Sequence, residues 1–190
     1  MFRTLVAFYT RITNRISLAI VAIVTLLLVI FIVPAVYGQF SPGGIPCRAL
    51  DTLFTYTPDQ AKTVLACFGP LLGKYRLAEL TLDLVYPVVY SLFFSMALTA
   101  LVRDSSRLLN LLQYLLLFPL LAWFFDLLEN ASISVLIAQY PDFSPLVAQM
   151  ASLSTSLKWI CVGLNVLIII GLGLYRTVWA GRKRFFSSPN

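Results

Sequence analysis

The chain has 190 residues, of which 59% are hydrophobic and only 12% charged, with a mean hydropathy of +0.88 and a net charge of +6. This composition excludes an ordinary soluble domain and indicates a membrane protein. The chain contains no histidine, which excludes histidine-ligated metal sites and histidine-based acid–base catalysis.

Four apolar stretches are long enough to cross a bilayer core of about 30 Å, which takes roughly 20 helical residues. The stretches are continuous rather than alternating, which favours helices over a β-barrel. The sequence therefore predicts an all-α polytopic membrane protein, a single membrane domain over residues 1–190 with four transmembrane helices in an up-and-down bundle. The predicted spans are 16–37, 80–102, 108–138 and 153–175.

The first stretch also resembles a secretory signal, because arginines precede it. Its apolar run is longer than the core of a signal peptide, and the segment that follows lacks a small-residue cleavage site. We therefore expect a retained anchor.

Basic residues flank the predicted spans unequally, with nine on one side and four on the other. The nine are Arg3, Arg11, Arg15, Arg103, Arg107, Arg176, Arg182, Lys183 and Arg184; the four are Arg48, Lys62, Lys74 and Arg76. This positive-inside bias predicts that both termini are cytoplasmic, with a basic tail at 176–190. The distribution favours a topology determinant over a nucleic-acid site, so no nucleic-acid partner is expected.

The segment 38–79 between the first two spans is predicted to be non-cytoplasmic and to contain a short helix at 58–68. Thr57 and Gln60 have the spacing of a capping box, and Pro58 suits the first helical position. Apolar residues recur at helical spacing within this stretch, so we expect an amphipathic helix that lies on the outer membrane surface.

Cys47 and Cys67 fall on this same non-cytoplasmic segment, where oxidation is permitted. A disulfide and two free thiols are both compatible with the sequence.

Polar residues inside the spans share one depth. Asp83, Asp126, Lys158 and Pro34 lie 18 to 20 residues along their helices from a flanking arginine, which is about 27 to 30 Å. We therefore expect them to meet in the outer third of the membrane. Because a charged side chain facing lipid costs about 2.5 to 3.5 kcal/mol, these side chains are predicted to face the bundle interior.

Helical spacing extends this polar cluster. On the third span Asp126, Glu129 and Asn130 share one face, and on the second span Glu79, Asp83, Tyr86 and Tyr90 do the same. The predicted cluster consists of Asp83, Tyr86, Tyr90, Asp126, Glu129, Asn130 and Lys158. Its aromatic lining is expected to come from Tyr86, Tyr90, Trp123 and Trp159, which also suit an interfacial aromatic belt.

Three acids, Asp83, Asp126 and Glu129, face Lys158 as the only base within the spans. We expect an Asp126–Lys158 ion pair and a shared-proton contact between Asp83 and Asn130. At least one carboxyl group must then be protonated, hydrated or matched by a cationic ligand. Pro87 removes the helical donor to the Asp83 carbonyl, so a neighbouring hydroxyl, water or ligand is expected to satisfy that oxygen.

Three segments resemble the recurring signature of a family of small bacterial integral membrane proteins: TLDLVYPVVY (81–90), FDLLENASI (125–133) and SLSTSLKW (152–159). The resemblance runs over about residues 56–175 and implies the bacterial inner membrane. It implies no function.

A looser likeness is to sterol-isomerase and sigma-receptor-like proteins of the EXPERA type, which also place a long luminal segment before the second span and acids within a helical bundle. This likeness implies binding of sterols or cationic amphiphiles, with Asp83, Asp126 and Glu129 in the role of the acids. The histidine that those isomerases use is missing from this chain.

The leading hypothesis is a non-enzymatic membrane protein whose polar cluster stabilises the bundle and binds a lipid-like or cationic small molecule. One alternative is an enzyme acting on a lipid or isoprenoid, with Asp126 or Glu129 as proton donor and Asp83 as base. Another is an accessory subunit that joins a membrane-protein partner. No cofactor and no metal site is expected, since the chain does not cluster zinc ligands.

Overall fold

The computed structural model describes residues 2–40 and 47–186, and every regular element within these ranges is helical. Four helical stretches in them are long and apolar enough to cross a membrane: Arg15–Tyr37, Pro58–Val102, Leu108–Gln139 and Pro145–Val178. The predicted all-α bundle is therefore confirmed. Residues 41–46 of the predicted outer segment and 187–190 of the predicted tail lie outside the described residues.

The first span follows a short N-terminal helix, α1 (Phe2–Ile12), which the sequence analysis did not predict. Asn14 caps helix α2 (Arg15–Leu27), and its side-chain oxygen accepts from the backbone N–H groups of Ile16 and Ser17. A π-helical turn (Leu28–Ile32) joins α2 to α3 (Val33–Tyr37), so the span is helical throughout.

The helix that contains the second predicted span, 80–102, begins before residue 80. Helix α4 (Pro58–Phe68) is followed by a 3-10 turn (Gly69–Leu71) and then by α5, which covers Leu72–Val102. The predicted span starts only at residue 80 because Lys74, Arg76 and Glu79 lower the hydropathy of the first turns of α5. Those turns are nonetheless packed on one face, where Tyr75 and Glu79 are buried.

The third span is two helices rather than the single predicted helix over 108–138. Helix α6 covers Ser106–Leu115, and α7 covers Leu117–Gln139. Pro119 has no N–H to donate to the carbonyl of Leu115, which explains why the helix is interrupted at this point.

The fourth span belongs to one long helix, α8 (Pro145–Phe186), which exceeds the predicted 153–175 at both ends. It includes the first part of the predicted basic tail.

Helices that follow one another along the chain are neighbours in space. Helix α7 packs most extensively against α8 and then against α5, and α2 packs against α5. This is the packing expected of an up-and-down bundle. We name its two ends by their residues: the disulfide end contains Cys47 and Cys67, and the arginine end contains Arg15, Arg103 and Arg176.

The disulfide end is covered by residues 47–57 and α4, which we call the cap. Cys47 and Cys67 are bonded, with their Cα atoms 5.8 Å apart. The predicted capping box of α4 is present, since Thr57 and Gln60 exchange backbone–side-chain hydrogen bonds.

The expected surface location of α4 is corrected by its packing. Ala61, Leu65 and Phe68 are fully buried against protein, and the ring of Phe68 stacks on that of Tyr75 with centroids 4.3 Å apart. The disulfide and the short turn into α5 hold α4 close to the bundle. Its apolar face is therefore covered by the bundle itself rather than by lipid.

Candidate functional site

Lys158 is the basic centre of the polar cluster, and its closest partner is Glu129. The ammonium Nζ contacts Glu129 Oε2 and lies 4.0 Å from Asp126 Oδ1. The expected Asp126–Lys158 ion pair is therefore present, but Glu129 is the closer partner of Lys158. Side chains lean toward the N-terminus of their helix, so Lys158 leans toward the disulfide end, and Glu129 lies nearer to that end than Asp126 does.

Glu129 is fully enclosed, with an exposed fraction of 0%. Its second polar partner, besides Lys158, is Thr155, whose Oγ1 donates a hydrogen bond to Glu129 Oε1 over 2.5 Å. The pair joins α7 to α8 deep in the bundle, and its carboxylate is shielded from any approaching molecule.

Asp126 lies on the other side of Lys158 and receives a hydrogen bond from α5. The Tyr90 hydroxyl donates to Asp126 Oδ2 over 2.8 Å, and both side chains are buried. Tyr90, Asp126 and Lys158 thus connect α5, α7 and α8 through one continuous set of polar contacts.

Asn130 contacts Asp83 through the backbone, not through the carboxyl group that the sequence analysis expected. Its Nδ2 donates to the Asp83 carbonyl oxygen over 2.6 Å. Pro87 lies inside α5 and cannot donate to this carbonyl, so the amide of Asn130 replaces the missing helical bond. The open acceptor predicted from Pro87 is present, and an amide rather than a hydroxyl, water or ligand satisfies it.

Three residues of the site, Tyr37, Asp51 and Glu79, were missing from the predicted set. The Tyr37 hydroxyl donates to Asp83 Oδ2 and lies 3.2 Å from Glu79 Oε1. Carboxylate oxygens of Asp51, Glu79 and Asp83 all lie within 4.8 Å of one another. Glu79 shares a helix face with Asp83, so its spacing signalled the contact. Asp51 lies in a short 3-10 turn, whose sequence carries no such signal.

The cap carries Asp51 into the bundle. A 3-10 turn (Leu50–Thr52) holds it, the Leu50 N–H donates to the Tyr75 hydroxyl over 3.1 Å, and Trp159 Nε1 donates to the Asp51 carbonyl over 3.1 Å. Burial raises the pKa of the Asp51 carboxyl group, and the positive charge of Lys158 opposes that rise.

Hydrogen bonds to α8 fix the rest of the cap. The Tyr56 N–H donates to Ser152 Oγ over 2.9 Å, and Ser156 Oγ donates to the Phe54 carbonyl over 2.7 Å. These contacts cover the polar cluster from the disulfide end.

A cavity of about 270 Å³ lies beside the cluster. Its lining residues are Thr25, Val29, Val33, Asp51, Thr52, Asp83, Tyr86, Tyr90, Phe93, Phe94, Asp126, Lys158, Trp159 and Val162. Five predicted cluster residues line it, whereas Glu129 and Asn130 lie behind them. Of the predicted aromatic lining, Tyr86, Tyr90 and Trp159 contribute and Trp123 does not.

The cavity lies between the first and fourth spans, with α5 and α7 behind it. Val29 of the first span and Trp159 of the fourth span form part of its wall, and they are 43% and 42% exposed. This exposure leaves the cavity open on the side between the first and fourth spans.

The charges around the cavity do not balance. Asp51, Glu79, Asp83, Asp126 and Glu129 are five carboxyl groups, and Lys158 is the one lysine or arginine that pairs with any of them in the described part of the chain. Full ionisation would leave a formal charge of −4 in a site largely removed from water. Such a site disfavours anions and attracts cations.

No protein-family model, no curated protein and no solved structure matches this chain.

Proposed function

We propose that this membrane protein binds a cationic amphiphile, a molecule with an amine head group and an apolar chain, in the cavity between its first and fourth spans. The observation that carries the proposal is the composition of the lining. It combines three carboxyl groups, those of Asp51, Asp83 and Asp126, with walls of aliphatic and aromatic side chains.

The apolar part of the ligand has a suitable wall. Val29, Val33, Phe93, Phe94 and Val162 line the cavity, and they suit an alkyl chain or a fused ring system that enters from the bilayer. Ligand pockets of this kind are mostly apolar with a few polar groups that fix orientation.

The head group has suitable partners in Asp126 and Asp83. Both carboxyl groups line the cavity, while Lys158 is already engaged by Glu129 and Asp126. An ammonium head group that donates a charge-assisted hydrogen bond to Asp126 would reduce the excess negative charge of the site. The low dielectric constant of the surroundings would strengthen that interaction.

The geometry removes one of the two proton donors of the enzyme hypothesis and leaves Asp126 as the other. Glu129, one of the two expected proton donors, is enclosed behind Lys158 and is not part of the lining. A general acid must come within hydrogen-bond reach of the reacting group, and Glu129 does not.

We further propose a bacterial inner membrane and a topology with the arginine end in the cytoplasm. Arg15, Arg103 and Arg176 lie at that end, and the disulfide lies at the other, where an oxidising compartment would maintain it. The cavity would then open in the outer leaflet.

Calorimetric titration of the protein in phosphatidylcholine nanodiscs tests the proposed binding. Three probes of equal chain length, dodecylamine, dodecanol and dodecanoate, are titrated, with empty nanodiscs as the partition blank. We expect saturable binding of the amine alone, with the Asp126→Asn variant binding it roughly ten- to a hundredfold more weakly, because a hydrogen bond to a charged group contributes about 1.5 to 3 kcal/mol.

The matched control is Asp142→Asn, which removes the same charge from an exposed residue at the same end of the bundle. It should leave the affinity for the amine unchanged. Equal binding of the amine and the alcohol, or an equal loss in both variants, would contradict the proposal.

A further inference from the structure

We propose that Asp51, Glu79 and Asp83 form a binding site for a hard divalent cation, of which Ca²⁺ fits best, at the junction between the cap and α5. The inference goes beyond the amphiphile site, with which it shares Asp51 and Asp83. One member, Glu79, does not line the cavity.

The three carboxylates are close enough to bind one ion. Their oxygens lie within 4.8 Å of one another. Ca²⁺ binds oxygen at 2.3 to 2.6 Å, so two oxygens on opposite sides of one Ca²⁺ ion are about 4.6 to 5.2 Å apart. Mg²⁺ binds at about 2.0 to 2.1 Å and would require those oxygens to approach within about 4.2 Å. Separations of at most 4.8 Å permit either ion. Ca²⁺ is favoured because it binds several carboxylates directly, whereas Mg²⁺ usually keeps several waters and binds through one or two carboxylates.

A second observation, independent of this spacing, indicates an ion. Glu79 has an exposed fraction of 0%, and its Oε2 has no hydrogen-bond partner among the residues described. A buried carboxylate oxygen without a partner is costly, because it has lost water and gained nothing in exchange. The Oδ1 atom of Asp51 is likewise buried and makes no hydrogen bond within the described ranges.

The neighbouring donors do not reach Glu79 Oε2 or Asp51 Oδ1. The Tyr37 hydroxyl donates its one proton to Asp83 Oδ2 and lies 3.2 Å from Glu79 Oε1, so it does not satisfy Glu79 Oε2. Lys158 pairs with Asp126 and Glu129 rather than with this group of acids. A metal cation can be shared by all three carboxylates, and protons held by the carboxyl groups are the alternative that the experiment below distinguishes.

The charge balance also supports a divalent ion. Five carboxyl groups and one ammonium leave a formal charge of −4 on full ionisation, and one amine head group removes only one unit of it. An ion of charge +2 at the cap leaves Asp126 available for the head group. All ligands are oxygen atoms, which favours Ca²⁺ over softer metals.

Equilibrium dialysis with radioactive Ca²⁺, on the full chain in phosphatidylcholine nanodiscs, tests the site. We expect one Ca²⁺ ion per chain, with a Kd of about 10⁻⁴ to 10⁻³ M, the range of extracellular calcium modules. Glu79→Gln should weaken the affinity at least tenfold, and Asp51→Asn should do the same from the cap. Asp51→Asn serves as the second variant because it replaces a residue outside the helices.

Asp142→Asn is the control for loss of charge at the same end, and it should leave Ca²⁺ binding unchanged. Two results would overturn the site: no Ca²⁺ ion bound at 10 mM, or equal Ca²⁺ binding by wild type, Glu79→Gln and Asp51→Asn. Either result would leave protons as the partners of these carboxyl groups. Equal weakening in the control would overturn it as well.

The two proposals fail separately. Asp126→Asn should weaken binding of dodecylamine and preserve binding of Ca²⁺, whereas Glu79→Gln should do the reverse. Loss of Ca²⁺ binding in the Asp126→Asn variant would show that the amine and the ion share one site. It would overturn the assignment of the ion to Asp51, Glu79 and Asp83.

Discussion

Lys158 and Glu129 form an ion pair between α7 and α8 that is almost fully removed from solvent. Removing water from two charges costs several kcal/mol per ion, and their attraction recovers this cost only when other polar partners are present. Thr155 and Asp126 supply those partners here. The pair therefore contributes to the alignment of the two helices more than to net stability.

Replacing Lys158 alone should be far more damaging than replacing both members of the pair. Lys158→Met leaves Glu129 buried without a cation, and we expect a loss of about 3 to 5 kcal/mol in the free energy of unfolding. Lys158→Met combined with Glu129→Gln removes both charges and should recover a large part of that loss. Unfolding of the variants in detergent, followed by circular dichroism, measures the difference.

Additive losses in the double variant would show that the two side chains do not interact. Thr177→Ala, at an exposed position of α8 whose hydroxyl bonds within its own helix, is the control for substitution on that helix. It should change stability by no more than about 0.5 kcal/mol.

At the level of the helices, Pro87 and Asn130 link α5 to α7. The proline frees one carbonyl of α5, and the amide of Asn130 satisfies it from the neighbouring helix. In lipid a hydrogen bond of this type between helices contributes only about 0.6 kcal/mol on average, but an unpaired carbonyl costs more. The arrangement fixes the rotation of α7, and with it the direction in which Asp126 points.

Asn130→Ala should therefore destabilise the bundle by about 1 to 3 kcal/mol, because the Asp83 carbonyl loses its donor where no α5 N–H can replace it. Thermal unfolding in detergent detects this as a lower midpoint. Ser132→Ala is the control on the same helix, since Ser132 bonds to the Leu128 carbonyl of α7 itself. A midpoint for Asn130→Ala equal to that of the control would contradict the role given to the amide.

Helical spacing carried most of the information about the site. Because Asp126, Glu129 and Asn130 recur at intervals of three and four, their common face followed from the sequence alone. Counting along the helices likewise placed Asp83, Asp126 and Lys158 at one level. The closer partner of Lys158 could not be predicted, since it depends on the direction in which side chains lean along antiparallel helices.

The cap was the part that sequence patterns could not place. Its capping box and the bounds of α4 were predicted, but its packing on the bundle depends on contacts between residues about a hundred positions apart, such as Tyr56 with Ser152. Asp51 enters the polar cluster only through that packing. The number of acids in the site was therefore underestimated at the sequence level.

On the scale of the whole molecule, polar and apolar layers succeed each other along the bundle. The cap and the acids lie at the disulfide end, followed by aromatic residues such as Tyr90 and Phe94, and then by an apolar cluster around Leu98 and Leu112. The apolar cluster fills the bundle between the cavity and the arginine end. This layering favours a binding site open to one leaflet over a channel through the membrane.

The proposed topology predicts which cysteine variants react from outside the cell. Asp142→Cys, an exposed position at the disulfide end, should react with a membrane-impermeant maleimide on intact cells. Ser106→Cys, exposed at the arginine end, should react only after lysis. The opposite pattern would reverse the topology and place the cavity in the inner leaflet.

The most direct test of the cationic amphiphile site is photolabelling in nanodiscs with a long-chain amine that carries a diazirine on its chain, followed by peptide mass spectrometry. We predict modification of cavity residues of the first span, α5 and α8, namely Val29, Val33, Phe93, Phe94 and Val162, and its loss in Asp126→Asn but not in Asp142→Asn. The site would be contradicted if labelling spread over lipid-facing residues such as Leu167 and Ile170 and reached the same level in wild type and Asp126→Asn.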